Sequence, residues 1–253
     1  MNRKILSVVL VVVMLMLFVS CSKDGVNKEF KQIIIATSSV SGNIQAAREF
    51  ARSKDAECVT YSTDSDAVVA TLNGKADYVV LDEYAGYLFQ KENDSLSFSE
   101  KCEYDIEYRA CFTYDNADLC KAFNEAFKVL KENGTIDKIK TAVYNNEEYE
   151  CSKSTGDKGT LVMACDPIFD NRVYFDDNGD VKGTDVYIAK EVCSYLGYAL
   201  VIETVSFEEM FSTLDGEGAD FLMGGIEKTE QRAENYLFSD VYSTYSYNAY
   251  KLK

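Results

Sequence analysis

The sequence has no histidine, no tryptophan and a single proline, Pro167. Without histidine it lacks the common proton shuttle of neutral pH and the commonest metal ligand. Ser-His-Asp and Cys-His catalysis and His-based zinc sites are therefore excluded. Basic residues are also scarce: 26 Lys and Arg stand against 42 Asp and Glu, a formal charge of −16 over 253 residues. That balance argues against sequence-independent nucleic-acid binding, which needs Lys and Arg to replace phosphate counterions. What is present is apolar material, 47% of the chain, enough for a core and too much for wholesale disorder. The length suits one large domain or two lobes of about 100 residues each.

Arg3 and Lys4 precede a fifteen-residue apolar run, Ile5 to Val19, interrupted by one Ser. The run is shorter than a membrane span and is followed by small residues, the pattern of a secretory signal peptide. Phe18-Val19-Ser20-Cys21 resembles a bacterial lipoprotein box. That resemblance implies lipidation of Cys21, a membrane anchor and a chain lying outside the cytoplasmic membrane. Residues 1–20 then form the signal and 21–28 a polar tether. An uncleaved membrane anchor is the alternative. Without residues 1–20, the remaining chain carries −18. Besides Cys21 it has seven cysteines, 58, 102, 111, 120, 151, 165 and 193; they are odd in number and form no C-x-x-C pair, so neither a disulfide framework nor a metal site is expected, one isolated bridge being the alternative. Cys58, Cys120 and Cys193 lie in apolar-periodic segments and read as small buried hydrophobes.

An internal repeat is the most informative feature. Residues 71–81 read T-L-N-G-K-A-D-Y-V-V-L, and residues 213–223 read T-L-D-G-E-G-A-D-F-L-M. Each ends a helix on Thr-Leu, turns through Asn or Asp and Gly, and enters an apolar strand through Ala-Asp. Upstream, strands at Glu57–Tyr61 and Ala199–Val205 each precede a helix, from about Asp64 and from Ser206. Ser206 and Glu209 have the spacing of a capping box. Earlier still, the apolar runs Ile33–Thr37 and Leu161–Ala164 suit buried strands, with helices at about 42–53 and 184–196 behind them. Two β-α-β-α-β units, at roughly 31–82 and 160–224, predict an α/β protein with a mostly parallel sheet and helices on both faces in each lobe. Between them, Leu119, Phe123, Ala126, Phe127 and Leu130 recur at helical spacing as core, Gly134 supplies a cap, and a short helix covers Ile136–Val143. Asn145 to Lys158 is polar and reads as a linker.

The stretch G-T-D-V-Y-I-A-K-E-V-C-S-Y-L-G at 183–197, then V-S-F-E-E-M-F-S-T-L and A-D-F-L-M-G-G-I-E-K-T-E-Q-R-A-E-N-Y-L-F-S-D-V-Y, resembles the extracellular solute-binding proteins of family 3, polar amino-acid receptors of ABC importers. A-D-Y-V-V-L-D-E-Y-A-G at 76–86 is similar to that family's second lobe, and A-F-N-E-A-F-K-V-L-K-E-N-G-T-I-D-K-I at 122–139 to its carboxy-terminal segment. The resemblance implies the type 2 periplasmic-binding fold in a circularly permuted order. Residues 29–102 would be lobe two, 103–144 the closing segment of lobe one, 145–158 the linker, and 159–253 the opening segment of lobe one. Such a chain crosses between lobes once, which predicts a looser hinge unless residues 242–253 pair across it. A rival is two truncated receptors fused in sequence, each completed by a partner chain.

A free amino acid presents a carboxylate, an ammonium and a side chain. By resemblance Arg232, in T-E-Q-R, takes the carboxylate through its bidentate fork, or else is a solvated Arg at a helix start. Asp82, in L-D-E, matches the ammonium-binding Asp and also suits a helix N-cap. Ser38, Ser39 and Ser41 fill a turn whose hydroxyls and N–H groups suit an anion, and Gly225 allows close backbone approach. Phe169 and Phe207 match apolar walls of the pocket, and each also suits a core. Asp166 and Glu227 would favour a cationic or neutral polar side chain over an acidic one. At the pocket mouth this chain departs from the family, carrying Asp170-Asn171-Arg172 where an aromatic-containing run is usual. The implied function is a lipid-anchored receptor that delivers a polar amino acid to an ABC importer's membrane subunits. It needs no cofactor, catalytic residue or nucleic acid. Alternatives are a sensor serving a signalling partner, a degenerate receptor that no longer binds, and a dehydratase-like enzyme of the same fold.

Overall fold

The structure, a computed structural model, describes residues 32–39, 41–169 and 171–253. The signal, Cys21 and the tether therefore lie outside the described residues, as do the side chains of Ser41 and Phe169. Ile33–Lys253 forms one unit built on two five-stranded sheets and a small three-stranded one.

The first repeat folds as expected. Strands β1 (Ile34–Ser38), β2 (Glu57–Tyr61) and β3 (Tyr78–Asp82) alternate with helices α1 (Ser41–Ser53) and α2 (Asp64–Leu72). Helix α3 (Glu83–Glu92) follows, then the long strand β4 (Leu96–Tyr108). The pleat sends alternate residues to opposite faces. Ile35 and Val80 pack on one side with Ala46, Ala47 and Phe50 of α1. Ala36, Val79 and Leu81 pack on the other with Ala67 and Val68 of α2.

The second repeat repeats this logic. A short strand β5 (Cys111–Phe112) leads into helices α4 (Ala117–Glu132) and α5 (Thr135–Tyr144). Strand β6 (Thr160–Cys165) is followed by a hairpin sheet of β7 (Ile168–Phe169), β8 (Val173–Phe175) and β9 (Val181–Lys182). Then come α6 (Thr184–Leu196), β10 (Ala199–Thr204), α7 (Phe207–Asp215), β11 (Phe221–Leu222), α8 (Glu230–Ala233), β12 (Leu237–Phe238) and β13 (Ser243–Leu252). Met163, Cys165, Phe221 and Met223 face α4 and α6. Ala164 and Leu222 face Met210 and Leu214 of α7. The capping box of Ser206 and Glu209 is formed. Phe123 packs as core, with ring centroids 5.8 Å from Phe112 and 6.1 Å from Phe221.

The two sheets have equivalent strand orders, β2-β1-β3-β13-β4 and β10-β6-β11-β5-β12. In each, four strands run one way, and the strand inserted fourth, β13 or β5, runs against its neighbours. The expected α/β class with two mostly parallel, doubly flanked sheets is thus observed. Each inserted strand comes from the other half of the chain.

This arrangement corrects the expected boundaries and hinge. Strand β4 runs past residue 102 to Tyr108, and Ser243–Leu252, expected in lobe one, belongs to the first sheet. The chain therefore crosses between lobes twice, at 109–110 and at 239–242, instead of once. The crossings are tied together. The Ser239 N–H donates to the Ala110 carbonyl at 2.9 Å, the Ala110 N–H donates to Ser239 Oγ at 2.9 Å, and the Tyr242 N–H donates to the Tyr108 carbonyl at 3.2 Å. Residues 145–158 form no helix or strand, yet they are docked. Buried Glu191 accepts the Ser152 N–H at 2.7 Å and the Tyr149 hydroxyl at 3.2 Å. Among the described residues no helix is long and apolar enough to cross a membrane.

Candidate functional site

Asp82 ends β3 and caps α3, with Oδ1 accepting the Ala85 N–H at 2.9 Å. It also lines a cleft of about 430 Å³. Burial pushes its carboxyl above the ordinary value, and Asp64 adds to that push. The Ala85 N–H and the Tyr245 hydroxyl pull part of the way back. Asn43 and Asp64 line the same wall. Asn43 Nδ2 donates to Ser38 Oγ at 2.8 Å and to Asp64 Oδ1 at 2.9 Å. Buried Ser38 is thereby engaged, while exposed Ser39 donates to the Ser62 carbonyl at 3.1 Å.

Lobe one contributes Ile168 and Arg172 to this cleft. Arg172 was not singled out as a ligand-binding residue from sequence. Its only signal was the departure at 170–172. The α6 N-terminus holds that segment: the Thr184 N–H donates to the Asn171 carbonyl at 2.9 Å and the Asp185 N–H to the Arg172 carbonyl at 3.1 Å. These bonds satisfy helix donors that have no intrahelical partner. Arg172 is 5% exposed and Asp185 is fully buried, with Nη2 and Oδ1 3.6 Å apart. Tyr242 donates its hydroxyl to Asp185 Oδ2 at 2.6 Å. The Arg172 guanidinium lies 4.1 Å from the Tyr108 ring centroid and 5.3 Å from that of Tyr245. Burial works most strongly against its charge, but the Asp185 carboxylate together with Tyr242, Tyr108 and Tyr245 outweighs it, so the guanidinium stays firmly protonated. Burial and Asp185 together hold the Tyr242 phenol well above its ordinary value.

The other expected residues gather elsewhere in lobe one. Asp166, expected to face the ligand side chain, is buried and accepts the Phe207 N–H at 2.8 Å, where it serves the start of α7. Arg232 donates from Nη1 to the Glu227 carbonyl at 2.9 Å. Its guanidinium lies 5.5 Å from the Phe207 ring and 4.9 Å from the Phe211 ring. Gly225 has φ of 74°, in the left-handed region that favours glycine. Glu227 is exposed, and its backbone bridges to Tyr108. Among the described residues lining the 430 Å³ cleft, neither Arg232, Phe207, Gly225, Glu227 nor Asp166 appears. The structure therefore brings Asp82 together with Arg172 and Tyr245, and keeps Arg232 with Phe207 and Phe211.

Comparison with known proteins gives the lobes a context. L-cystine-binding protein TcyK of Bacillus subtilis is 28% identical over 95 residues, 37% of this chain and 34% of that protein. Membrane-bound lytic murein transglycosylase F of Pectobacterium atrosepticum is 34% identical over 70 residues, 27% of this chain and 15% of that one. The chain thus spans about a third or less of these curated relatives. The arginine-bound domain 1 of TmArgBP matches 38% of this chain and 82% of that domain at 28% identity, with a TM-score of 0.33. Residues 161–251 match the family model of bacterial extracellular solute-binding proteins, family 3, and over that segment the chain resembles this family.

Proposed function

We propose that the protein is an extracellular receptor that binds a polar amino acid between its lobes and presents it to an ABC importer. The observation that carries this reading is the 430 Å³ cleft, of ordinary ligand-site size, whose walls come from both lobes and hold a buried carboxylate, Asp82. Asp82 would take the ammonium. Asp64 and Glu92 on the same walls favour a ligand without surplus negative charge. Closing two lobes joined by two crossings buries the ligand and creates the shape that a membrane partner reads. The family match at 161–251 and the amino-acid-binding relative support the same class.

We read the segment order as a circular permutation, with the cut inside lobe two, ahead of β1. Each sheet takes its inserted strand from the other half of the same chain, which supports permutation over a fusion of two truncated receptors. Cys21 would carry the lipid; labelling with a fatty acid that is lost in Cys21→Ala tests this.

The test of function is thermal unfolding with each common amino acid at millimolar concentration. A ligand that binds only the folded state stabilises by RT ln(1 + [L]/Kd), about 2.7 kcal/mol at a hundredfold excess over Kd. An upward shift confined to one chemical class of amino acid is expected. A cooperative transition that no amino acid shifts refutes the reading.

A further inference from the structure

A lobe-to-lobe contact separate from the two crossings lies beside the cleft, between α3 of lobe two and the end of α5 of lobe one. Tyr84 and Tyr87 stand three residues apart on α3, so they share one face. Both rings lie against Tyr144, the last residue of α5, with centroids 5.2 and 6.0 Å from it. The Tyr87 hydroxyl also donates to Asn145 Oδ1 at 3.2 Å. Asn145 caps α5 through its backbone N–H, which leaves its side chain to serve the other lobe. The three rings are half-buried, and among the described residues none belongs to the hydrophobic core of either lobe. What they join is the two lobes. The junction is not packed solid: a cavity of about 110 Å³ opens beside it, bordered by Glu83 from lobe two and by Lys140 and Tyr144 from lobe one. Tyr84 also lines the 430 Å³ cleft with Asp82, so the helix that makes this contact is the helix that walls the cleft. Burial, then Glu83 and Asp82, pushes the Tyr144 phenol up to about 12, which keeps the ring neutral across the physiological range.

We propose that Tyr84, Tyr87, Tyr144 and Asn145 form a clasp that holds the lobes together while the cleft is empty, and so sets how far the empty cleft opens. The crossings at 109–110 and 239–242 fix where the lobes turn; side-chain contacts away from them decide which angle is favoured. Ring contacts of this kind part without breaking any strand pairing. Two aromatic pairs and a hydrogen bond bias such a two-state balance about tenfold. The clasp thereby spares a ligand part of the cost of closing the lobes, and affinity rises with the fraction already closed. This goes beyond the receptor reading and does not depend on which ligand the cleft takes.

The experiment is pulsed electron–electron double resonance on the full-length chain in detergent, without ligand. Spin labels are attached through ketone-bearing unnatural residues, which leaves the native cysteines alone. They are placed at position 69 in lobe two and position 195 in lobe one, where Val69 and Tyr195 are 53% and 55% exposed. The otherwise unaltered chain is expected to show one dominant label-to-label distance. Tyr144→Ala, checked for folding by circular dichroism, is expected to raise the share of a second, open distance at least about fivefold. Tyr144→Phe, which keeps the ring, is expected to match the unaltered chain. A distribution unchanged in Tyr144→Ala overturns the proposal. So does a broad distribution in the unaltered chain, which would show that nothing holds the empty lobes together, and so does opening in Tyr144→Phe as large as in Tyr144→Ala. If Tyr144→Ala does not fold, Tyr87→Ala removes one ring contact and the Asn145 bond from the other lobe; a distribution unchanged in that variant also overturns the proposal. Because no ligand is added, failure of the clasp is distinct from failure of the receptor reading, which rests on amino-acid binding.

Discussion

Tyr245 and Asp82 line the same cleft wall, close enough that the hydroxyl draws the carboxyl's pKa down and the carboxylate pushes the phenol's up. The face of the same ring carries the Arg172 guanidinium at 5.3 Å. One side chain on β13 therefore adjoins both charges of the cleft. Tyr245→Phe keeps the ring and deletes the donor. A hydrogen bond to a charged group contributes about 1.5–3 kcal/mol. Ligand affinity measured by calorimetry is expected to fall at least about tenfold, with little change in far-ultraviolet circular dichroism.

Asp82 sets a pH dependence whose sign follows from its burial. Its folded pKa is raised above the ordinary 3.8, so the folded state holds the proton more tightly than the unfolded chain. The stability this contributes is complete below about 3.8 and is lost as pH rises through the folded value. Asp82→Asn should therefore melt higher than wild type at pH 7, with the difference closing near pH 4. Ligand binding runs the other way: affinity for an ammonium-bearing ligand should fall on acidification through the folded value. Thermal melts and calorimetry across pH 4–8 check both.

The Arg172–Asp185 pair is buried on both sides, so removing one partner strands the other. Asp185→Ala is expected to destabilise by about 3–5 kcal/mol in urea unfolding. Tyr242→Phe, which deletes only the hydroxyl bonded to Asp185, should cost about 1.5–3 kcal/mol. Equal losses in the two variants would mean that Asp185 acts chiefly through Tyr242.

Gly183 precedes α6 with φ of 122°, and a Cβ there would run into the Arg172 carbonyl. Gly183→Ala must both strain its own backbone and push away the segment that carries Arg172. A loss of at least about 1–3 kcal/mol is expected, together with weakened ligand binding. A variant as stable as wild type would show that the 171–173 segment yields easily.

Strand β13 is paired on one side with β3 and on the other with β4. Its interior amides from Tyr245 to Tyr250 should exchange among the slowest in the chain, since opening them requires opening the whole first sheet. Fast exchange there would show that the second crossing is held weakly.

The sequence by itself determined the two α/β repeats. Apolar runs at 33–37 and 161–164, the repeated Asn/Asp-Gly turns and the Ser206–Glu209 capping box are local signals, and each was observed close to where its pattern predicts. Asp82 was legible as a cap for the same reason, because a carboxylate at a strand-to-helix turn acts within three residues of itself. The tertiary structure alone decided the rest. Where β13 pairs depends on β3 and β4, which lie some 140 to 170 residues away in the chain, and no local pattern encodes a partner that distant. The same long-range pairing carries Tyr245 to Asp82 and Tyr108 to Arg172. Arg172 looked like a polar interruption of a loop because its environment, two tyrosine rings and a buried Asp185, is assembled from three separate stretches of chain. A charge buried by residues remote in sequence has no signature at its own position; packing gives it its role.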